Sequence, residues 1–289
     1  MIALTGANGH LGRATLTHLL RRTQAHALIA TARDPGKAAD VLPTGVTVRR
    51  ADYDDYESMR AAFDGAEILL LISGDAPVPV RIAQHRNAID AARAAGVRHV
   101  VYTGIIDPDP ESPFTFAAIH ADTEAYLKAS GLSYTVFRNG LYLETLPLMI
   151  GNASGSGQLF FPGGEGKLSF AARSDIAEAL ANVLTQPAAH RDQTYTITLP
   201  QAYSFAEIAA MLGETGGVPV RYAAIPAEAL ESELRKHQLP GFMVEAMTGM
   251  ARAVAAGRFH HPSPTLTHLL GREPLGLGAF LKRDQDLQD

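Results

Sequence analysis

The stretch Thr5-Gly6-Ala7-Asn8-Gly9-His10-Leu11-Gly12 constrains this chain most, because it sets glycines at intervals of three between two periodic segments. Ile2 to Thr5 reads as a short apolar strand, and Leu11, Ala14, Leu16, Leu19 and Leu20 recur at helical offsets. In such a strand–turn–helix, Gly6 permits the tight turn, Gly9 lets the backbone approach a ligand, and Gly12 lets the helix pack closely. The helix start then offers free amides and partial positive charge, which suit a pyrophosphate. A glycine-rich structural turn shows the same spacing; the βαβ unit that this turn opens favours a dinucleotide site.

Strand and helix patterns alternate through the first two-thirds. The expected strands are Ala27 to Ala32, Val46 to Arg49, Ile68 to Ile72, His99 to Thr103 and Tyr134 to Phe137. Between them the pattern predicts a short helix opened by Asp34-Pro35, one capped by Asp55, and longer ones from about Val80 and Phe116. Strands alternating with helices of this length mean a parallel sheet, so the fold class is α/β, a Rossmann-type doubly wound sheet. Residues 151–166, rich in Gly, Ser and Asn, read as a surface loop. A helix capped by Ser174 or Asp175 and a strand from Thr194 to Leu199 return to the sheet. Ser204 and Glu207 have capping-box spacing, and mostly helices follow. The expected division is a dinucleotide-binding domain at 1–150, with 168–199 returning to it. Residues 151–167 and 200–289 would form a smaller, mostly helical C-terminal substrate-binding region.

Charge narrows the partners. With 25 basic and 30 acidic residues among 289, the net charge of −5 argues against nucleic acid. The absence of cysteine excludes disulfides, thiol nucleophiles and thiolate zinc sites. The longest apolar run, Ile68 to Ile72, is far below the roughly 20 residues that a membrane span needs. The start, MIALTGANG, lacks the features of a signal peptide, so a cytoplasmic protein is expected. Sequence leaves the oligomeric state open.

Other strand ends extend the site. Arg33 stands where an NAD site carries an acidic residue, and a guanidinium there suits a ribose 2′-phosphate, so NADP(H) is the expected cofactor. A solvated arginine is the alternative. Asp52-Tyr53 follows the third strand, on the adenine side. Ile72, Ser73 and Gly74 close the fourth, Thr103-Gly104 the fifth, and Asn139 the sixth. Ligands of open α/β sheets bind at such carboxyl ends. Ala7, Asn8, His10 and Leu11 complete the first turn.

These residues, with TARDPGKA at 31–38, LLLISG at 69–74, QHRNAIDAARAAGVRHVVYTG at 84–104 and HADTEAYLKASGLSYTVFRNGLY at 120–142, resemble the NmrA-like, atypical short-chain dehydrogenase/reductases. Within that family the likeness is to bacterial NADPH-dependent quinone oxidoreductases and triphenylmethane reductases. The resemblance implies NADPH held by the first turn, Arg33 and the loop after Ser73, and hydride transfer to a quinone or similar aromatic acceptor. It also admits a non-catalytic NADP(H)-binding redox sensor of the NmrA type. The wider superfamily's Tyr-x-x-x-Lys is replaced by His120-Ala-Asp-Thr-Glu124.

His120 is the first candidate for catalysis, since an imidazole titrating near neutrality can protonate a reduced quinone oxygen. Glu124, one turn on, could orient it. Thr103 and Tyr142 are hydroxyl candidates, with sheet-edge hydrogen bonding as the duller reading. Gln84 and Asn87 share a helix face that either touches the nicotinamide or faces solvent. Phe160 and Phe161 read as apolar anchors near a substrate. His260-His261 lacks a carboxylate at ligand spacing, so no metal is expected.

Overall fold

The computed structural model describes residues 1–286. It begins with β1 (Ile2–Leu4), α1 (His10–Leu19), β2 (Leu28–Ala32), α2 (Pro35–Ala39), β3 (Thr47–Arg50), α3 (Tyr56–Ala62), β4 (Ile68–Ile72), α4 (Val78–Ala94), β5 (His99–Ile105), α5 (Phe116–Ala129) and β6 (Ser133–Asn139). After β7 (Leu141–Tyr142), α6 (Leu146–Ile150), α7 (Ala153–Ser156), β8 (Gln158–Phe161) and β9 (Lys167–Ala171) come α8 (Arg173–Thr185) and β10 (Gln193–Ile197). The last elements are β11 (Ala202–Ser204), α9 (Phe205–Gly216), β12 (Arg221–Ala224), α10 (Ala227–Lys236), α11 (Gly241–Ala255), α12 (Thr265–Leu270) and α13 (Leu277–Asp286).

Seven strands form one parallel sheet in the order β10-β6-β5-β4-β1-β2-β3. Ile2 pairs with Leu28 on one side and Ile68 on the other, so the strand order reverses beside β1. Helix caps follow the sequence logic: the Asp34 and Asp55 carboxylates accept from the Lys37 and Ser58 amides, and Pro35 sits in the first turn of α2. In β4, Leu69, Leu70 and Leu71 are all fully buried, as a strand covered on both faces requires. Against it pack Phe63, Ala88, Ile89 and Ala92 from the neighbouring helices.

The chain divides into two compact units. The first comprises 1–105, 119–138 and 173–195; the second comprises 106–118, 139–172 and 196–289, so 106–118 and 139–150 cluster with the second. The second unit holds a three-stranded sheet, β11-β9-β7, and a two-stranded one, β12-β8. The predicted loop at 151–166 is thereby corrected. It contains α7 and β8, with Leu159 and Phe161 buried where β8 pairs with β12. That partner lies some sixty residues away, so local composition carries no sign of the pairing. The capping box forms as expected, with Ser204 and Glu207 each accepting from the other's amide. Among the described residues no helix is long and apolar enough to cross a membrane.

Candidate active site

The glycine turn is built by close contact. Gly6 adopts φ +58°, a left-handed conformation costly for other residues, and its carbonyl accepts from the Gly9 amide at 3.0 Å. A Cβ on Gly12 would lie 2.3 Å from the Gly6 carbonyl oxygen and 2.8 Å from the Ala7 Cα, so only glycine lets α1 start there. No side chain caps the N-terminus of α1 and no acidic residue stands in its first turn. Its amides and dipole are thus left to an anion.

In front of this turn lies a groove of about 630 Å³. Of the expected residues it brings together Gly6, Asn8, Arg33, Asp52, Tyr53 and Gly74. Ala7 and Leu11 are buried beneath the turn, Gly9 and His10 are exposed at the start of α1, and Gly104 is buried in β5. Lys37, Asp54 and Asp75 also line the groove without having been expected there, and so does Gln84, whose helix face was the one expected to touch the nicotinamide or solvent. Lys37 was legible, being four residues beyond Arg33 on a helix already placed by its cap. Gln84 donates to Asp54 at 2.9 Å, which puts it at the third-strand side of the groove. Among the described residues Arg33 makes no ion pair, leaving its guanidinium open to a ligand.

Hydrogen bonds bind the strand ends that floor the groove. The Thr5 hydroxyl donates to the Leu70 carbonyl at 3.2 Å and accepts from the Ile72 amide at 2.9 Å. The Tyr53 hydroxyl donates to the Ile72 carbonyl at 2.6 Å, and its burial pushes the phenol pKa up. Thr103 Oγ1 accepts from the Ser73 amide at 3.2 Å, tying the loop after β4 to β5. Buried Arg81 donates from Nε and Nη2 to the Ala76 carbonyl, at 3.1 and 2.8 Å, holding the other end of that loop.

His120, on α5, is buried, and its Nδ1 lies 2.6 Å from the Tyr102 hydroxyl. Burial lowers the imidazole pKa to about 3, helped by His85 and Arg81, and pushes the Tyr102 phenol up. The phenol therefore keeps its proton and the imidazole is neutral, so the two share a hydrogen bond whose donor is set by the imidazole tautomer. A second buried pair stands alongside, with His85 Nδ1 2.8 Å from Thr123 Oγ1. Burial brings His85 down to about 3 as well. Glu124 does not face His120. It accepts from Arg138 Nε and Nη2 at 2.9 and 2.8 Å and pairs with Lys128 at 3.3 Å.

Asn139 and Tyr142 belong to the second unit. Asn139 is buried, and neither polar atom of its side chain has a protein partner. Tyr142 is half-buried on β7, beside β9. Among the described residues no group of three histidines or carboxylates is placed to hold a metal.

The chain is similar to quinone oxidoreductase 2 of Escherichia coli, with 35% identity over 271 residues covering 94% of each protein. The crystal structure of that organism's NADPH-dependent quinone oxidoreductase QOR2 with NADPH superposes with a TM-score of 0.92, at 34% identity and with both chains fully covered. Triphenylmethane reductase of Citrobacter sp., crystallised with NADP(H), gives 0.89 at 32% identity, covering 98% of this chain and 99% of the other. The sequence also matches the NmrA-like family over residues 1–269, and with the fold and groove described above the chain belongs to that family.

Proposed function

We propose that the protein is an NADPH-dependent oxidoreductase that passes a hydride to a quinone or similar conjugated aromatic acceptor. The observation that carries the reading is the groove at the strand-order reversal, with Arg33 and Lys37 at one side and the uncapped start of α1 at its floor. Two cations four residues apart suit a dianionic 2′-phosphate better than a bare ribose diol. The relatives crystallised with NADPH and NADP(H) support this choice.

The residues present fit that cofactor. Amides of the Gly6–Gly12 turn face a diphosphate, Arg33 and Lys37 take the 2′-phosphate, and Asp52 and Tyr53 border the adenine side. Gly74 lines the groove, Thr103 holds the Ser73 amide beside it, and Ile72 and Gly104 support these strand ends. When bound, NADPH supplies a hydride to the acceptor.

His120 serves in its neutral form. Burial lowers its pKa, so at neutral pH a neutral imidazole and not an imidazolium acts on the acceptor, while water supplies the proton. A quinone tolerates this arrangement because the anion that develops on reduction is delocalised. We assign cofactor binding to the first unit, acceptor binding to the second including Asn139 and Tyr142, and a cytoplasmic setting. The net charge of −5 gives no electrostatic footing for nucleic acid.

The test follows NADPH absorbance with a panel of quinones, aromatic dyes and aldehydes. Turnover is expected with quinones and dyes and not with simple aldehydes. Tight NADPH binding without turnover of any acceptor would overturn the enzyme reading in favour of a redox sensor.

A further inference from the structure

Asparagine followed by glycine loses its side-chain amide readily, because no Cβ shields the glycine nitrogen from the neighbouring carboxamide carbon. The chain holds two such pairs, Asn8-Gly9 and Asn139-Gly140, in opposite surroundings. Asn139 is buried, and the Gly140 amide donates to the Ile197 carbonyl at 2.9 Å. A Cβ on Gly140 would lie 2.4 Å from the Ser169 carbonyl oxygen, so packing pins the backbone there.

Asn8 is exposed on the glycine turn, and among the described residues its carboxamide has no hydrogen-bond partner to hold it away from Gly9. The Gly9 amide donates to the Gly6 carbonyl at 3.0 Å, a single turn bond at the surface that local opening breaks. Gly9 is also the N-cap of α1, with no side-chain cap and no acidic residue in the first turn. The partial positive charge of the helix start thus stabilises the negative charge that develops as the Gly9 nitrogen gives up its proton.

We propose that Asn8 is a self-modification site whose conversion to a carboxylate switches off nucleotide binding, and that bound NADPH protects it. The Gly9 nitrogen, its proton released to solvent, attacks Asn8 Cγ. The new N–C bond forms as the Cγ–Nδ2 bond breaks, and ammonia leaves with a proton taken from water. A second water opens the cyclic imide at either carbonyl, giving aspartate or isoaspartate. Water is the only co-reactant.

Asn8 lines the groove beside Gly6, so the product sets a like charge against the diphosphate. Isoaspartate also adds a methylene to the backbone of a turn that Gly12 leaves without slack. Bound nucleotide acts in the opposite sense, since a ligand of the closed turn makes its opening rarer. This proposal rests on the nucleotide assignment alone, whatever molecule receives the hydride.

The test holds nucleotide-free protein and NADPH-saturated protein in mildly alkaline buffer and follows both by peptide mass spectrometry. A sample unfolded in urea gives the intrinsic rate of the two pairs. The mass gain of an amide-to-acid change is expected at Asn8 and not at Asn139 in the folded chain, slowed about tenfold or more by NADPH. The fraction able to bind NADPH should fall in step with that gain. Asn8→Asp, at an exposed position, should melt as the unaltered chain does and raise the NADPH Kd by about tenfold or more.

An Asn8 amide that survives in the folded chain after the urea sample has lost it would overturn the proposal. Equal conversion of Asn8 and Asn139 would do the same, as would unchanged NADPH affinity in Asn8→Asp. Equal conversion with and without NADPH, in a sample that binds it at the outset, removes the protection. Fresh protein that binds no NADPH counts against the nucleotide assignment instead, while the contrast between Asn8 and Asn139 still decides the modification.

Discussion

We propose that Arg33 and Lys37 carry the choice of nucleotide, since both line the groove, one just before the Asp34 cap and the other in the helix it opens. A hydrogen bond to a charged group contributes about 1.5–3 kcal/mol. Replacing either by alanine should therefore weaken NADPH binding by roughly tenfold to a hundredfold and leave NADH binding unchanged. Parallel titrations with the two nucleotides check this, and an equal loss for both would show that the pair grips something other than the 2′-phosphate. Arg33 was legible because it ends a recognisable strand. The surroundings of His120 were not. Spacing alone offered Glu124 as its partner, but Arg138 on β6 draws that carboxylate away, and Tyr102 on β5 takes its place. Such a pairing depends on how two strands lie against a helix, which no offset along one helix encodes.

Among the elements, the start of α1 tolerates least change. Gly12→Ala puts a methyl group within 2.3 Å of the Gly6 carbonyl, where backbone rather than a movable side chain must yield. The expected cost is about 1–3 kcal/mol of stability from overpacking, together with loss of NADPH binding. Thermal unfolding with and without NADPH measures both. A variant that keeps its nucleotide-dependent rise in melting temperature would refute the close-packing account. The α/β units of the first two-thirds were legible because glycine, proline and capping residues punctuate them. β8 was not, because Leu159, Phe160 and Phe161 lie among glycines and serines and gain their strand only from β12.

For the molecule as a whole, His85 and His120 link stability to pH. In the unfolded chain both imidazoles take up protons around the ordinary value of 6.5, whereas in the folded chain burial keeps them neutral down to about 3. The unfolded state thus binds more protons between these limits, so the contribution is full above about 6.5 and is lost as pH falls toward 3. The melting temperature should decline between pH 7 and pH 5, and His120→Gln should flatten the decline. A level profile for the unaltered protein over that range would contradict the burial of both rings.

Neither compact unit is continuous in the chain. The backbone passes from one to the other at 105/106, 118/119, 138/139, 172/173 and 195/196. No single truncation of the gene can therefore release either unit as a continuous fragment, and a chimaera with a relative must be spliced at several junctions at once. Acceptor preference in such a lineage is free to change by point substitution and small insertions, while wholesale exchange of a terminal module is closed to it.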